Sequence, residues 1–188
     1  DGSVDNISVK EVLNTQKNHA TTKFYGYELI QDDKNQIFDE SGDWTGYGSP
    51  TSAAISGGKF QVETTGDSTS EGAHLPVGEE LTAPVAGRTY RIKAWLDDVG
   101  TANADATYKF YFGGTGALIT ASDGSPNDGT INTANQEYYA DVVAANATGN
   151  LEIRIVAADN DAATTFTIDG VSVTEVGTAT GWTEASQE

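Results

Sequence analysis

Apolar and polar positions alternate with a period of two through six stretches of the chain: Lys59–Thr64 (KFQVET), Thr89–Asp98 (TYRIKAWLDD), Ala106–Gly114 (ATYKFYFGG), Glu137–Ala144 (EYYADVVA), Leu151–Asp159 (LEIRIVAAD) and Phe166–Val176 (FTIDGVSVTEV). Alternation of this kind sets one side of a β-strand against a core and the other against water. The separators, among them SGDWTGYGSP, TTGDSTSEG, DDVGTANAD, SDGSPNDG and NATGN, are rich in residues that turn the chain. No segment sustains a 3.6-residue period, so little helix is expected. Many strands joined by glycine-rich turns predict an all-β protein, an antiparallel β-sandwich of jelly-roll type, with an immunoglobulin-like sandwich as the alternative. The domain is expected over residues 28–176, with connectors at 13–27 and 177–188.

Parity assigns each strand residue to a face. Tyr90, Ile92, Ala94 and Leu96 share one side, as do Tyr108, Phe110 and Phe112, then Tyr138, Ala140 and Val142, then Leu151, Ile153 and Ile155. These sides suit the core. The opposite sides carry Arg91, Lys93, Trp95, Lys109, Tyr111, Tyr139 and Arg154. Flat rings suit the apolar faces of sugars and cations suit their hydroxyls, so this set is the candidate ligand-binding group. A salt-bridged, solvated face, or one covered by a neighbouring subunit, is the alternative. Trp44 and Tyr47, in the turn-rich SGDWTGYG, are a weaker case, because Trp44 also suits an anchor of the first turn on the core. His19 and His74 stand outside any catalytic motif.

The last strand changes phase. Phe166 and Ile168 share one parity, Val171 and Val173 the other. A strand with one buried face can do this only if a residue is inserted, and the Asp169-Gly170 pair at the switch suits a bulge. The Asp169 carboxylate is thereby aimed either at nearby backbone amides or at a calcium ion. The same pattern occurs near the start, where residues 3–12 read SVDNISVKEV against TIDGVSVTEV at 167–176. Residues 1–12 are therefore expected to be the terminal strand of a preceding repeat in a tandem array, with chance likeness as the alternative.

Composition narrows the chemistry. The 188 residues suffice for one well-cored domain. A formal net charge of -18 opposes nucleic acid and anionic membranes as partners and suits solubility outside a cell. The absence of cysteine excludes disulfides, thiol catalysis and cysteine-held zinc. No apolar run approaches the roughly 20 residues of a membrane span, so no membrane insertion is expected. Beginning at Asp1, with no signal peptide, the sequence is expected to be a piece of a longer chain. Glycoside hydrolysis needs two carboxylates at a set separation, and the sequence singles out no pair among its 28 acids. No HExxH, GxSxG or P-loop pattern occurs either, so no enzyme is expected.

The ending FTIDGVSVTEV resembles the last strand of jelly-roll carbohydrate-binding modules, and NQIFDESGDWTGYG, AAISGGKFQVET and GRTYRIKAWLDD fall upstream in the same order as in those modules. The flanks NHATTKFYGYELI and GTATGWTEASQE resemble connectors in virion or tail-fibre proteins of tailed bacteriophages. This resemblance implies a non-catalytic repeat of a virion fibre or decoration protein, located in the virion or outside the cell. Its implied partners are glycans or host-surface polysaccharide, other copies of itself, or other virion proteins. The alternatives are a carbohydrate-binding module of a secreted enzyme and a repeat of a bacterial surface or filament protein. The resemblance also implies a structural calcium held by Asp169, with Glu28 as the second candidate ligand. Gly170 stands where many such modules carry another Asp, which removes one possible ligand.

Overall fold

The computed structural model describes residues 23–30, 44–66, 70–78, 80–99, 106–125, 128–131, 135–157 and 163–178. These residues form twelve strands and no helix: β1 (Lys23–Glu28), β2 (Thr45–Tyr47), β3 (Ser52–Ser56), β4 (Lys59–Glu63), β5 (Gly72–Leu75), β6 (Thr89–Asp98), β7 (Thr107–Phe112), β8 (Thr115–Leu118), β9 (Thr120–Ala121), β10 (Gln136–Val143), β11 (Leu151–Ala157) and β12 (Thr165–Thr178). They build two antiparallel sheets. The larger has seven strands in the order β3-β4-β12-β6-β10-β9, with β1 also paired to β12, and the smaller has the order β2-β5-β11-β7-β8. The fold is the β-sandwich of jelly-roll type that the alternation predicts.

The residues assigned inward by parity do fill the space between the sheets. Ile92, Ala94, Leu96, Phe110, Phe112, Tyr138, Leu151 and Ile153 are wholly buried, and Tyr90 and Tyr108 nearly so. Edge-to-face ring pairs join the two sheets: Tyr90 with Phe112, and Tyr108 with Phe166, each at 5.2 Å between centroids. Such a pair adds about 0.5–1.5 kcal/mol beyond the area it buries. Trp44 is buried against Phe60 at 6.3 Å, so it anchors the entry to β2 on the core.

Strand β12 carries the inserted residue. Asp169 lies opposite Trp95 of β6 and Ser172 opposite Lys93, so the register shifts between them. Gly170 takes a φ of 52°, a left-handed conformation that side chains with a Cβ disfavour. The bulge returns Val171 and Val173 to the core that Phe166 and Ile168 already enter. Before the bulge β12 pairs with β4, and beyond it with β1.

That second pairing revises the expected boundaries. Lys23 pairs with Thr178 and Phe24 with Gly177, so strand structure begins inside the expected connector 13–27 and β12 runs past residue 176. The weak periodicity of this segment hides a strand because its pairing is supplied by the edge that β12 leaves open beyond the bulge. Residues 1–12, and with them the proposed repeat, lie outside the described residues.

Candidate functional site

The sandwich divides the outward residues that parity grouped together. Arg91, Lys93 and Trp95 on β6 and Tyr139 on β10 lie on the outer face of the larger sheet. Lys109 and Tyr111 on β7 and Arg154 on β11 lie on the outer face of the smaller one, at the opposite side of the molecule. They are therefore two surfaces. A period of two says that a residue points away from the core but not which sheet its strand joins.

On the larger sheet the cations are tied to acids. Arg91 makes a two-pronged ion pair with Asp141, both contacts at 2.7 Å, and its guanidinium lies 4.6 Å from the centre of the Tyr139 ring. Lys93 bonds Glu137 at 3.0 Å. Burial opposes ionisation of Glu137, but hydrogen bonds from Ser122 and Lys93 outweigh it and hold the carboxyl below its ordinary range. Trp95 remains 42% exposed beside the bulge, where a Cβ on Gly170 would come within 2.9 Å of its ring. A depression of about 340 Å³ on the same face is lined by Arg91, Lys93, Ser172 and Thr174. This face is largely the salt-bridged alternative that the sequence left open.

The two calcium candidates are occupied with backbone amides. Glu28 Oε1 accepts hydrogen bonds from Leu29 N and Ile30 N at 3.1 Å and from Val173 N at 2.6 Å, stitching the end of β1 to β12. Asp169 Oδ1 accepts the N–H of Gly170 at 2.8 Å. Glu28 pairs with Thr174, which lies opposite Arg91, whereas Asp169 lies opposite Trp95. To hold an ion Glu28 would have to give up these amides. Among the described residues, no group of three His, Asp or Glu side chains gathers in metal-binding proximity.

The outer face of the smaller sheet is built differently. Register places two rows of side chains across its five strands. One row is Tyr47, Gly72, Arg154, Lys109 and Leu118, and the other is Thr45, His74, Glu152, Tyr111 and Gly116. Each of the two glycines permits a close approach. A Cβ on Gly116 would come within 2.5 Å of two atoms of the Tyr111 ring, so that ring lies across β8. Gly72 instead lets β5 lie close to β11, since a Cβ there would come within 2.6 Å of Arg154 Cα. Between the two tyrosines lies Arg154, whose guanidinium carbon is 4.6 Å from the centre of the Tyr47 ring and 3.7 Å from that of Tyr111. Each such cation–π contact stabilises by about 0.5–2 kcal/mol, and together they hold both rings in place.

Polar groups frame this stack. His74 meets the Tyr47 ring edge-on at 6.0 Å and lies 3.2 Å from Thr45 Oγ1 through Nε2. Arg154 Nη1 forms an ion pair with Glu152 Oε2 at 3.4 Å, and that oxygen and Arg154 Nε are buried without hydrogen-bond partners among the described residues. Burial pushes the Glu152 carboxyl above its ordinary range, with Arg154 and His74 pulling weakly the other way. Lys109 has no acidic partner among the described residues. An open, half-buried sheet face with two fixed rings, hydroxyls, an imidazole and both signs of charge can stack on the apolar side of a flat polar ligand and bond its edges.

Strand parity marks Lys109, Tyr111 and Arg154 as outward, in one set with Arg91, Lys93, Trp95 and Tyr139, and leaves Tyr47 as a loop aromatic. Tyr47 in fact ends a short strand, β2. His74 carries no motif that marks it in the sequence. The alternation of Thr45 with Tyr47, and of Gly72 with His74, was the available signal, but strands of three and four residues are too short to read by period.

No protein-family model matches the chain, and no curated protein matches it. Among solved structures the chain is similar to the carbohydrate-binding family 22 and glycoside-hydrolase modules of xylanase 10B from Clostridium thermocellum, a structure described as a complex with xylohexaose. The TM-score is 0.50 and the identity 20%, over 85% of this chain and 30% of that one. It is also similar to a family 22 xylan-binding domain of a Paenibacillus barcinonensis xylanase, with TM-score 0.47 and 16% identity over 82% of this chain and 97% of that one. The first likeness carries the fold, an antiparallel β-sandwich of jelly-roll type.

Proposed function

We propose that this domain is a non-catalytic glycan-binding module that receives a sugar chain across the outer face of its smaller sheet. The observation that carries the reading is the Tyr47–Arg154–Tyr111 stack, two rings fixed on an open face among hydrogen-bonding groups. Tyr111 is the principal stacking platform, Tyr47 the second, and Glu152, His74 and Lys109 meet the hydroxyls. Glu152 is the single carboxylate in the two rows, so the paired carboxylates of glycoside hydrolysis have no counterpart there. The xylanase modules of similar fold, described with xylohexaose, make that oligosaccharide the first probe.

The test is calorimetry with a panel of oligosaccharides and soluble polysaccharides. Tyr111→Ala should weaken binding by about 1–3 kcal/mol, the loss expected for one aromatic anchor, while circular dichroism stays unchanged. Trp95→Ala, on the opposite face, should leave affinity within about twofold of the parent, because it removes no contact from the tyrosine stack. The reverse result would move the site to the larger sheet, and no binding to any glycan would end the proposal.

For the parent chain the proposal is a repeat of a virion fibre or decoration protein, supported by the connector-like flanks and the near-repeat of residues 3–12. A module of a secreted enzyme is the second reading, favoured by the likeness to the xylanase modules. The sequence of the full parent chain decides between them.

A further inference from the structure

Charge on the smaller sheet runs against the rest of the molecule. The chain has 28 acidic and only 10 basic residues. Yet the two rows across this face hold Arg154, Lys109 and His74 against one carboxylate, Glu152. Arg154 and Lys109 are moreover direct partners across β11 and β7. Like charges in that position destabilise a sheet. Glu152 offsets Arg154 at 3.4 Å, and Lys109 is left without an ion partner among the described residues. On the other sheet Arg91 and Lys93 are each paired with an acid on the neighbouring strand. One face thus neutralises its cations, and the face with the tyrosine stack leaves one open.

From this we infer that the glycan is acidic, with an anionic substituent, carboxylate or sulfate, seated over Lys109 beside Arg154. The inference rests on the glycan-binding reading and names the ligand class of the same site. An anion there would lie between two cations that face each other and would relieve their repulsion. The overall charge of -18 does not defeat this attraction. At physiological ionic strength fields fade over about 8 Å, so a bound group feels Lys109 and Arg154 far more than distant carboxylates. Glu152 lies in the other row, and Arg154 stands directly against it. Leu118, 43% exposed at the end of the cationic row, adds apolar surface for the sugar ring that carries the substituent.

The experiment measures affinity at 0.15 M salt for a uronate-bearing xylan and for the same polymer after carboxyl reduction, with dextran sulfate and neutral dextran as the sulfate arm. The parent protein should prefer the anionic member of a pair about two- to fivefold, in keeping with one partly exposed ion pair. Preference in the first pair alone assigns a carboxylate, and in the second alone a sulfate. Lys109→Ala should abolish the preference by lowering affinity for the anionic member more than for the neutral one, Lys109→Arg should keep it, and Lys109→Glu should reverse it. Equal binding of charged and neutral members, or a preference that survives Lys109→Ala, overturns the acidic ligand and leaves the glycan-binding module standing. Binding to no member of either pair overturns both.

Discussion

Adding a single methyl group at Gly116 should disable the stacking platform without removing any atom that could touch a ligand. Gly116 lies opposite Tyr111, and a Cβ there would fall 2.5 Å from Cδ1 and Cε1 and 2.7 Å from Cζ of that ring. Its backbone is not in the left-handed region, so alanine is conformationally acceptable and the ring must give way. Displacing the ring forfeits its contact with the Arg154 guanidinium, about 0.5–1 kcal/mol at a partly exposed site. Alanine in place of glycine within a strand returns about 0.5–1 kcal/mol through lower unfolded-state entropy. The two nearly cancel, so the melting temperature of Gly116→Ala should stay within roughly 2–4 °C of the parent, the shift expected for ~1 kcal/mol in a chain of this size. Affinity should not be spared. A platform tilted out of place loses about 1–2 kcal/mol of the anchor's contribution, so the dissociation constant should rise about five- to thirtyfold. Calorimetric titration with a bound oligosaccharide, beside a thermal melt, measures both. In a Tyr111→Ala background the same substitution should leave affinity unchanged, because there is no ring to displace. Unchanged affinity in the single variant, or an equal loss in the Tyr111→Ala background, would refute a role for Gly116 as the seat of that ring.

Two further outcomes follow from the carboxylates. Glu152→Gln tests the balance between burial and its ion pair: burial raises the folded-state pKa of Glu152, so ionisation opposes folding as pH rises through and above the usual carboxylate range. The variant should therefore gain stability relative to the parent between pH 4 and pH 7 in denaturant melts, and a loss that grows toward pH 7 would mean that the attraction of Arg154 outweighs burial. Glu28→Gln weakens an oxygen that accepts three backbone N–H groups and should cost about 2–3 kcal/mol. That fall should be the same in calcium and in chelator, whereas a fall confined to calcium-containing buffer would place an ion on Glu28.

Much of this protein is written in local pattern. The side of each long strand that enters the core follows from the alternation in TYRIKAWLDD, TYKFYF, EYYADVV and LEIRI, because successive side chains of a strand point to opposite faces whatever its neighbours are. The phase change around Asp169-Gly170 required a bulge for the same reason, since only an inserted residue lets Ile168 and Val171 both reach the core. Choice of sheet is not local in this way. It depends on which strands pair across long separations, as when β12 joins β6 and β4 while β7 joins β11. Only that pairing separated Trp95 from Tyr111, and it gave Arg91 the Asp141 partner that Lys109 lacks. The third dimension also brought Tyr47 and His74, from strands too short to show a period, beside Arg154. Composition and alternation thus determined what each strand buries, and long-range pairing decided which outward side chains meet to form a site.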